Sequence, residues 1–365
     1  MKTVWIVQPY VPRYRIPLFE QLGAQLSTAG VELRVAAGAA NDVQAERGDE
    51  VRPDWLVPMA WTRFGPAQIS HARRLYRGAD GVVFPHLGSN PELSAALIAR
   101  TLGRGTPVGV WGHIKTYVDD PNPLDVAIER WQLHHADRVF AYTAGGARYA
   151  SDAGVEPGKI VTLNNTVDTH QLKEAIEILD DREVLDFQSR YNLVPDRTIA
   201  YIGGLDESKR IDMLAETLDR LWELHPTVKL IVGGRGRSAG LLNRAEVRGQ
   251  VIRLGYVDEK MKALIASTAQ ILVNPGRVGL LAVEALVMGL PVATTQWPYH
   301  APEVEYLVEG ETIHSSANDA ESFLGLILEL LHDQPPKAFR TTGKAPLMSD
   351  MVATFARGIL AMLDR

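Results

Sequence analysis

The sequence predicts an α/β protein of two doubly wound parallel-sheet domains. Three observations carry this. Short apolar runs alternate with helical patterns along nearly all of the chain, the signature of parallel strands joined by crossover helices. The alternation pauses over the charged stretch 169–196 and restarts at Thr198. Glycines and polar residues gather where the strand runs end, as they do where open α/β sheets bind ligands.

In the first half, Thr3 to Val7 reads as a buried strand and runs into Q-P-Y-V-P-R-Y-R-I-P, ending at Pro17. Pro17 suits a helix N1 position, with Leu18, Phe19 and Leu22 as the apolar stripe behind it. Tyr14 and Arg15 therefore stand in a loop at a strand's carboxyl end. Val31 to Ala37 is the second strand, and residues 38 to 56 are polar with no clear period. Gly81 to Phe84 and Pro107 to Trp111 are further strands, flanking a helix from Pro91 to Leu102. The second of them ends in G-H-I-K, which sets His113 and Lys115 at a strand terminus. A helix over Leu124 to Ala136, strands at Arg138–Tyr142 and Lys159–Leu163, and the string N-N-T-V-D at 164–168 close this half.

In the second half, strands are expected at Thr198–Ile202, Val228–Val232 and Val251–Leu254. They end in G-G-L-D-E-S-K, G-G-R-G-R and G-Y. The most informative stretch is Asn274 to Thr294. Pro275 and Gly276 end the strand Ala269–Val273, and a helix is expected from Val278 with Leu281, Ala285 and Met288 on one face. Gly289 caps it and Leu290–Thr294 is the next strand. A helix start behind a glycine turn offers unpaired N–H groups and a partial positive charge, which suits a phosphate. Glu284 is a poor core residue and a good acceptor for paired ribose hydroxyls. The plainer reading is a packing turn with a solvated glutamate.

Composition narrows the classes. With 46% apolar and 22% charged residues the chain is ordinary for a soluble protein, and its net charge of −6 argues against nucleic acid as a partner. It has no cysteine, so disulfides and thiolate metal sites are excluded. The N-terminal apolar run is too short for a signal peptide and breaks at Gln8-Pro9. No apolar stretch reaches the roughly 20 residues of a membrane span, which leads us to expect a cytoplasmic protein. From Trp61 to Arg77 the chain carries Arg63, Arg73, Arg74 and Arg77 without an acid, interleaved with Trp61, Phe64 and Tyr76. A solvated face and a peripheral contact at the inner face of the cell membrane are the competing readings. Gly233 to Gly236 make no dinucleotide fingerprint, since position 238 is serine, and no spacing suggests a metal site.

The strings Tyr14–Phe19 (Y-R-I-P-L-F), W-G-H at 111–113, Tyr142–Gly146, Asn165–Asp168, Ile202–Arg210 and Asn274–Val292 resemble the retaining GT-B glycosyltransferases of family 4, also called group 1, and within it a bacterial branch that builds surface polysaccharides and glycoconjugates. The resemblance implies a GT-B fold of two Rossmann-like domains facing a central cleft. The acceptor domain would span residues 1–170, with a helix at about 347–365 packed back on it, and the donor domain residues 171–346. It implies transfer of a sugar from a nucleotide-diphosphate donor, most simply a UDP- or GDP-sugar, to a hydroxyl of a glycan, lipid-linked or small-molecule acceptor, without metal or other cofactor. Residue by residue, Glu284 corresponds to the ribose glutamate, Gly279 and Leu280 to the backbone donors for the diphosphate, Lys209 to the phosphate lysine, His113 to the histidine near the donor sugar, and Asn165 to the asparagine of an N-G-V-D string. Gly276 stands where the family has a first glutamate and Gly204 where it has an arginine. Arg235, Arg15, Arg237 and Arg277, in that order, are the expected replacements for the lost charge. Tyr256 lines the donor side; Arg15, Tyr14, Lys115 and Asn165 line the acceptor side. The alternatives are a sugar-nucleotide epimerase of the same fold and a non-catalytic nucleotide-sugar-binding subunit.

Overall fold

A computed structural model of the chain describes residues 1–40, 50–64, 67–115, 122–333 and 344–364. Residues 41–49 of the polar stretch 38–56, and Gly65-Pro66 within Trp61–Arg77, therefore lie outside the described residues. The chain forms two compact units, Met1–Asp168 with Pro346–Arg365, and Thr169–Ala345.

The first unit is built on a seven-stranded sheet. Its strands are β1 (Lys2–Gln8), β2 (Val31–Ala37), β3 (Leu56–Pro58), β6 (Gly81–Pro85), β7 (Val108–Gly112), β8 (Arg138–Ala141) and β9 (Ile160–Thr162), ordered β3-β2-β1-β6-β7-β8-β9. Every pairing is parallel. Between β3 and β6 in sequence, β4 (Thr62–Phe64) and β5 (Ala67–Ile69) form a separate antiparallel pair. Alternation along β1 explains why both sheet faces are covered. Val4 and Ile6 enter one core, while Trp5 and Val7 enter the other. The helix Met348–Leu363 completes the first of these cores. Its Phe355 lies 5.1 Å from the Trp111 ring and 4.7 Å from Phe140. Gly109 and Gly358 let it approach: a Cβ at Gly358 would sit 2.4 Å from the Phe140 ring.

The second unit holds a parallel six-stranded sheet of β10 (Thr198–Ile202), β11 (Lys229–Gly233), β12 (Val251–Gly255), β13 (Leu272–Val273), β14 (Val292–Thr295) and β15 (Ile313–Ser316), ordered β12-β11-β10-β13-β14-β15. Ala200 and Ile202 face one core and Ile199 and Tyr201 the other. The stretch 169–196 is more than a connection. Its helices His170–Glu177 and Asp181–Tyr191 bury Leu172 and Phe187 in the core of this unit. Ile176, Leu179, Val184 and Tyr191 pack beside them, an apolar stripe set in a charged background. The helix expected from Val278 begins at Leu281, because Val278 to Leu280 are spent on a turn. The strand expected from Ala269 is reduced to Leu272–Val273, because Ala269 caps the helix Glu259–Thr268. Gly289, at φ +63°, is the left-handed cap anticipated there.

The C-terminal helix should behave as part of the first unit. Phe355→Ala is expected to remove about 3–5 kcal/mol from that unit, the range for a buried phenylalanine. Urea unfolding followed by unit-specific probes should show the transition of residues 169–345 unmoved.

Candidate active site

In the second unit, three loops at the carboxyl ends of β10, β11 and β13 pack backbone against backbone. A Cβ on Gly234 would sit 1.8 Å from the Gly203 carbonyl oxygen, and one on Gly236 would sit 2.3 Å from that of Leu205. At Gly276 it would meet the Ser208 oxygen at 2.5 Å. Hydrogen bonds stitch the same loops: Leu205 N–H to the Arg235 carbonyl at 2.8 Å, Ser238 N–H to Leu205 at 2.9 Å, and Arg277 N–H to Ser208 at 2.8 Å. The first glutamate of the family pair is thus excluded by the backbone itself, since no side chain fits at position 276.

Lys209 ends the short turn Glu207–Lys209. Asp206 caps this turn by accepting from the Ser208 N–H at 3.1 Å. The Lys209 ammonium donates to the Arg277 carbonyl, and the Asn274 amide donates to the same oxygen at 3.3 Å. Thr294 and Thr295 hold the loop from beneath, donating to the Asn274 and Pro275 carbonyls at 2.7 Å each. His300 holds it from above: its Nδ1 accepts from the Val278 N–H at 3.1 Å, so its Nε2–H donates to the Thr295 carbonyl, also at 3.1 Å. Burial lowers the His300 pKa, and Lys209 and Arg277 push it down further against the Thr295 hydrogen bond, which raises it. Among the described residues the Gly279 and Leu280 N–H groups donate to no protein group. They stand ahead of helix Leu281–Met288, where the helix dipole is positive.

Glu284 has a partner that the sequence did not point to. The Lys262 ammonium lies 2.7 Å from Glu284 Oε1 and 3.0 Å from Glu259 Oε1. Burial works against that ammonium, but the two carboxylates outweigh it and raise its pKa well above the usual lysine range. Glu284 therefore has one oxygen committed to Lys262. Only the fold could find Lys262, because it stands on the preceding helix, 22 residues away.

The replacement arginines sort differently from the expected order. Arg277 lies closest in effect to Lys209, since both bear on His300. Arg235 is exposed and leans over Gly255 at the end of β12, away from β10 and β13. Arg237 and Tyr256 are also exposed. Gly204 contributes its carbonyl, which accepts from the Tyr201 hydroxyl at 2.6 Å.

Arg15 belongs to a different cluster. It is 5% exposed in the first unit and donates to Asn165 Oδ1 at 2.8 Å and to the Tyr142 hydroxyl at 3.1 Å. Its guanidinium lies 4.9 Å from the Trp111 ring and 5.3 Å from those of Tyr14 and Tyr142. Within the first unit Arg15 serves as a hydrogen-bond and cation–π hub. The His113 ring packs edge-on against Tyr142 at 5.0 Å. His113, Tyr142 and Asn165 thus meet at the carboxyl ends of β7, β8 and β9. Lys115 is exposed beside them. Among the described residues, no group of three or more His, Asp or Glu side chains is arranged to hold a metal.

The sequence matches a family model described as glycosyl transferases group 1 over residues 196–333, and another described as glycosyltransferase family 4 over residues 18–171. The chain belongs to this glycosyltransferase family. Its architecture is the GT-B fold. HepE of Anabaena, solved in complex with UDP and glucose, superposes with a TM-score of 0.67 at 12% identity, covering 99% of this chain and 100% of that one. The galactosyltransferase WaaB of the lipopolysaccharide outer core gives 0.64 at 13%, covering 98% and 99%. A UDP-N-acetylglucosamine 2-epimerase from Rickettsia bellii gives 0.66 at 16%, covering 100% and 97%. No curated protein matches significantly.

Two outcomes follow for this glycosyltransferase. Lys262→Met leaves Glu284 without its cation and should cost about 1–3 kcal/mol, below the fully buried case because both side chains keep some exposure. A double-mutant cycle with Glu284→Gln should give a coupling above about 0.5 kcal/mol. The depressed His300 pKa has a defined sign. The folded state resists protonation, so His300 contributes stability that is fully present above its unfolded value of 6.5 and lost as pH falls below that value toward the folded one. His300→Gln should flatten the acid side of the stability–pH curve of residues 169–345, measured by thermal melts.

Proposed function

We propose that the chain is a retaining, metal-independent glycosyltransferase. It moves a sugar from a UDP- or GDP-sugar to a hydroxyl of a glycan, lipid-linked or small-molecule acceptor, in cytoplasmic polysaccharide biosynthesis. The observation that carries this reading is the Lys209 ammonium resting on the Arg277 carbonyl, beside the open N–H groups of Gly279 and Leu280. A lysine, a neighbouring arginine and a helix N-terminus together supply the positive field that a departing diphosphate needs. In this reading Glu284 accepts the ribose hydroxyls and His113 stands near the donor sugar. The UDP complex of HepE favours UDP.

Retention needs no protein nucleophile here. The anomeric bond breaks early, the acceptor hydroxyl attacks the same face, and its proton passes to the leaving diphosphate. The work left to the protein is positioning and charge neutralisation. The epimerase alternative shares the architecture and is separated by one assay, since an epimerase consumes donor without acceptor.

Isothermal titration with UDP should show Lys209→Ala and Arg277→Ala each losing well over 1 kcal/mol, with Arg235→Ala within about 0.5 kcal/mol of the parent. Glu284→Gln should lose about 1–3 kcal/mol. His113→Ala should spare UDP affinity and lower turnover. A chelator should leave turnover unchanged. Neutrality at both Lys209 and Arg277 would sink the assignment of the phosphate site.

A further inference from the structure

The stretch from Trp61 to Arg77 plays no part in either site described above. Its aromatic residues separate. Tyr76 is buried, edge-on to Phe84 at 5.5 Å, and Trp61 is half-buried with its indole N–H toward Gln68. Phe64, at the end of β4, is 80% exposed. The cations all point outward. Arg63, and Arg73, Arg74 and Arg77 on and after the short helix Arg73–Tyr76, are exposed, and among the described residues none is ion-paired. Two acids stand nearby, and Glu92 Oε1 is buried without a hydrogen-bond partner. Glu92 Oε2 accepts from the Ser70 hydroxyl at 2.5 Å and the Ala72 N–H at 3.0 Å, and Asp80 accepts from the Thr3 N–H at 2.7 Å. His71, bonded to Thr62 at 2.9 Å, ties the β4–β5 pair to this helix. Beside them runs a groove of about 1210 Å³ lined by Arg73, Arg74 and Arg77 together with Glu92, Ala95 and Ala99.

We propose that this arginine-lined surface, with Phe64 at its edge, docks the first unit on an anionic bilayer. The form of the surface selects this occupant. A soluble anionic ligand is recognised by directed hydrogen bonds in a closed site, and these arginines are exposed along an open groove. A diffuse positive field suits a membrane surface potential instead. The exposed phenyl ring adds an apolar contact that a soluble polyanion does not reward. The net charge of −6 lies elsewhere on the chain, so an anionic surface would orient the protein as well as hold it.

Flotation of the full chain with vesicles tests the proposal. One set is phosphatidylcholine alone; the other carries about 30% phosphatidylglycerol, a strongly anionic surface. Binding is expected only to the anionic set, and it should fall with salt. Each arginine at such a surface is worth about 1 kcal/mol, roughly five-fold. The triple variant Arg73→Gln, Arg74→Gln, Arg77→Gln should therefore lower partitioning on the order of 100-fold. Phe64→Ser should lower it further. A charge-matched control, Arg104→Gln, Arg182→Gln, Arg190→Gln, should bind like the parent. Equal loss in the two triple variants, equal binding to neutral vesicles, or no binding to anionic ones would each overturn the proposal. So would displacement by dextran sulfate together with indifference to Phe64→Ser, which would mark a site for soluble polyanions.

Discussion

The second unit depends on backbone meeting backbone without intervening side chains. At Gly234, Gly236 and Gly276 the loops following β11 and β13 lie against those following β10 at distances that exclude any Cβ. That contact brings the Lys209 turn onto the Arg277 carbonyl and leaves the helix at Leu281 opening directly behind it. Gly234 and Gly236 also adopt φ of +155° and +153°, so both space and conformation reserve those positions for glycine. Threonines 294 and 295 and His300 then fix the loop from its two sides. The absent family glutamate is a consequence of this packing rather than a lost ligand.

Much of this was legible in the sequence, and the reasons differ from place to place. The strand Thr198–Ile202 is readable to the residue because both its faces are buried, and Val31–Ala37 because its apolar residues outnumber Glu32 and Arg34. The strand Ile313–Ser316 was not anticipated, because I-H-S-S at a sheet edge carries no apolar run. Lys209, Glu284 and His113 could be picked out by their place at strand or helix ends. Their partners could not be, because Lys262 and His300 meet them through tertiary packing across 22 residues each of Glu284 and Val278. The setting of Arg15 is hidden for the same reason. A loop arginine reads as available until Asn165, 150 residues away, is seen to claim it.

Backbone conformation marks the same places independently of side-chain chemistry. Ile114, Asn164 and Arg210 have φ of +68°, +53° and +54°, and they directly adjoin His113, Asn165 and Lys209. Asparagine tolerates this region, but a β-branched isoleucine there is rare, and such a residue costs on the order of 1–3 kcal/mol. Ile114 is buried, so its side chain helps hold the turn that carries His113 and Lys115. Strain of this kind persists where the surrounding structure over-determines a geometry, and it collects at functional sites.

The helix Met348–Leu363 gives the chain an unusual order of birth. The strands of the first unit are synthesised early, yet Met351, Phe355 and Ile359, which seal one face of its sheet, come last. At roughly 5–20 residues per second, the stretch from Thr169 to Ala345 takes on the order of 10–35 s to emerge from the ribosome. Throughout that interval Val4, Ile6 and Phe140 lack the helix that covers them. The first unit therefore cannot close this core until almost the whole of the second has been synthesised.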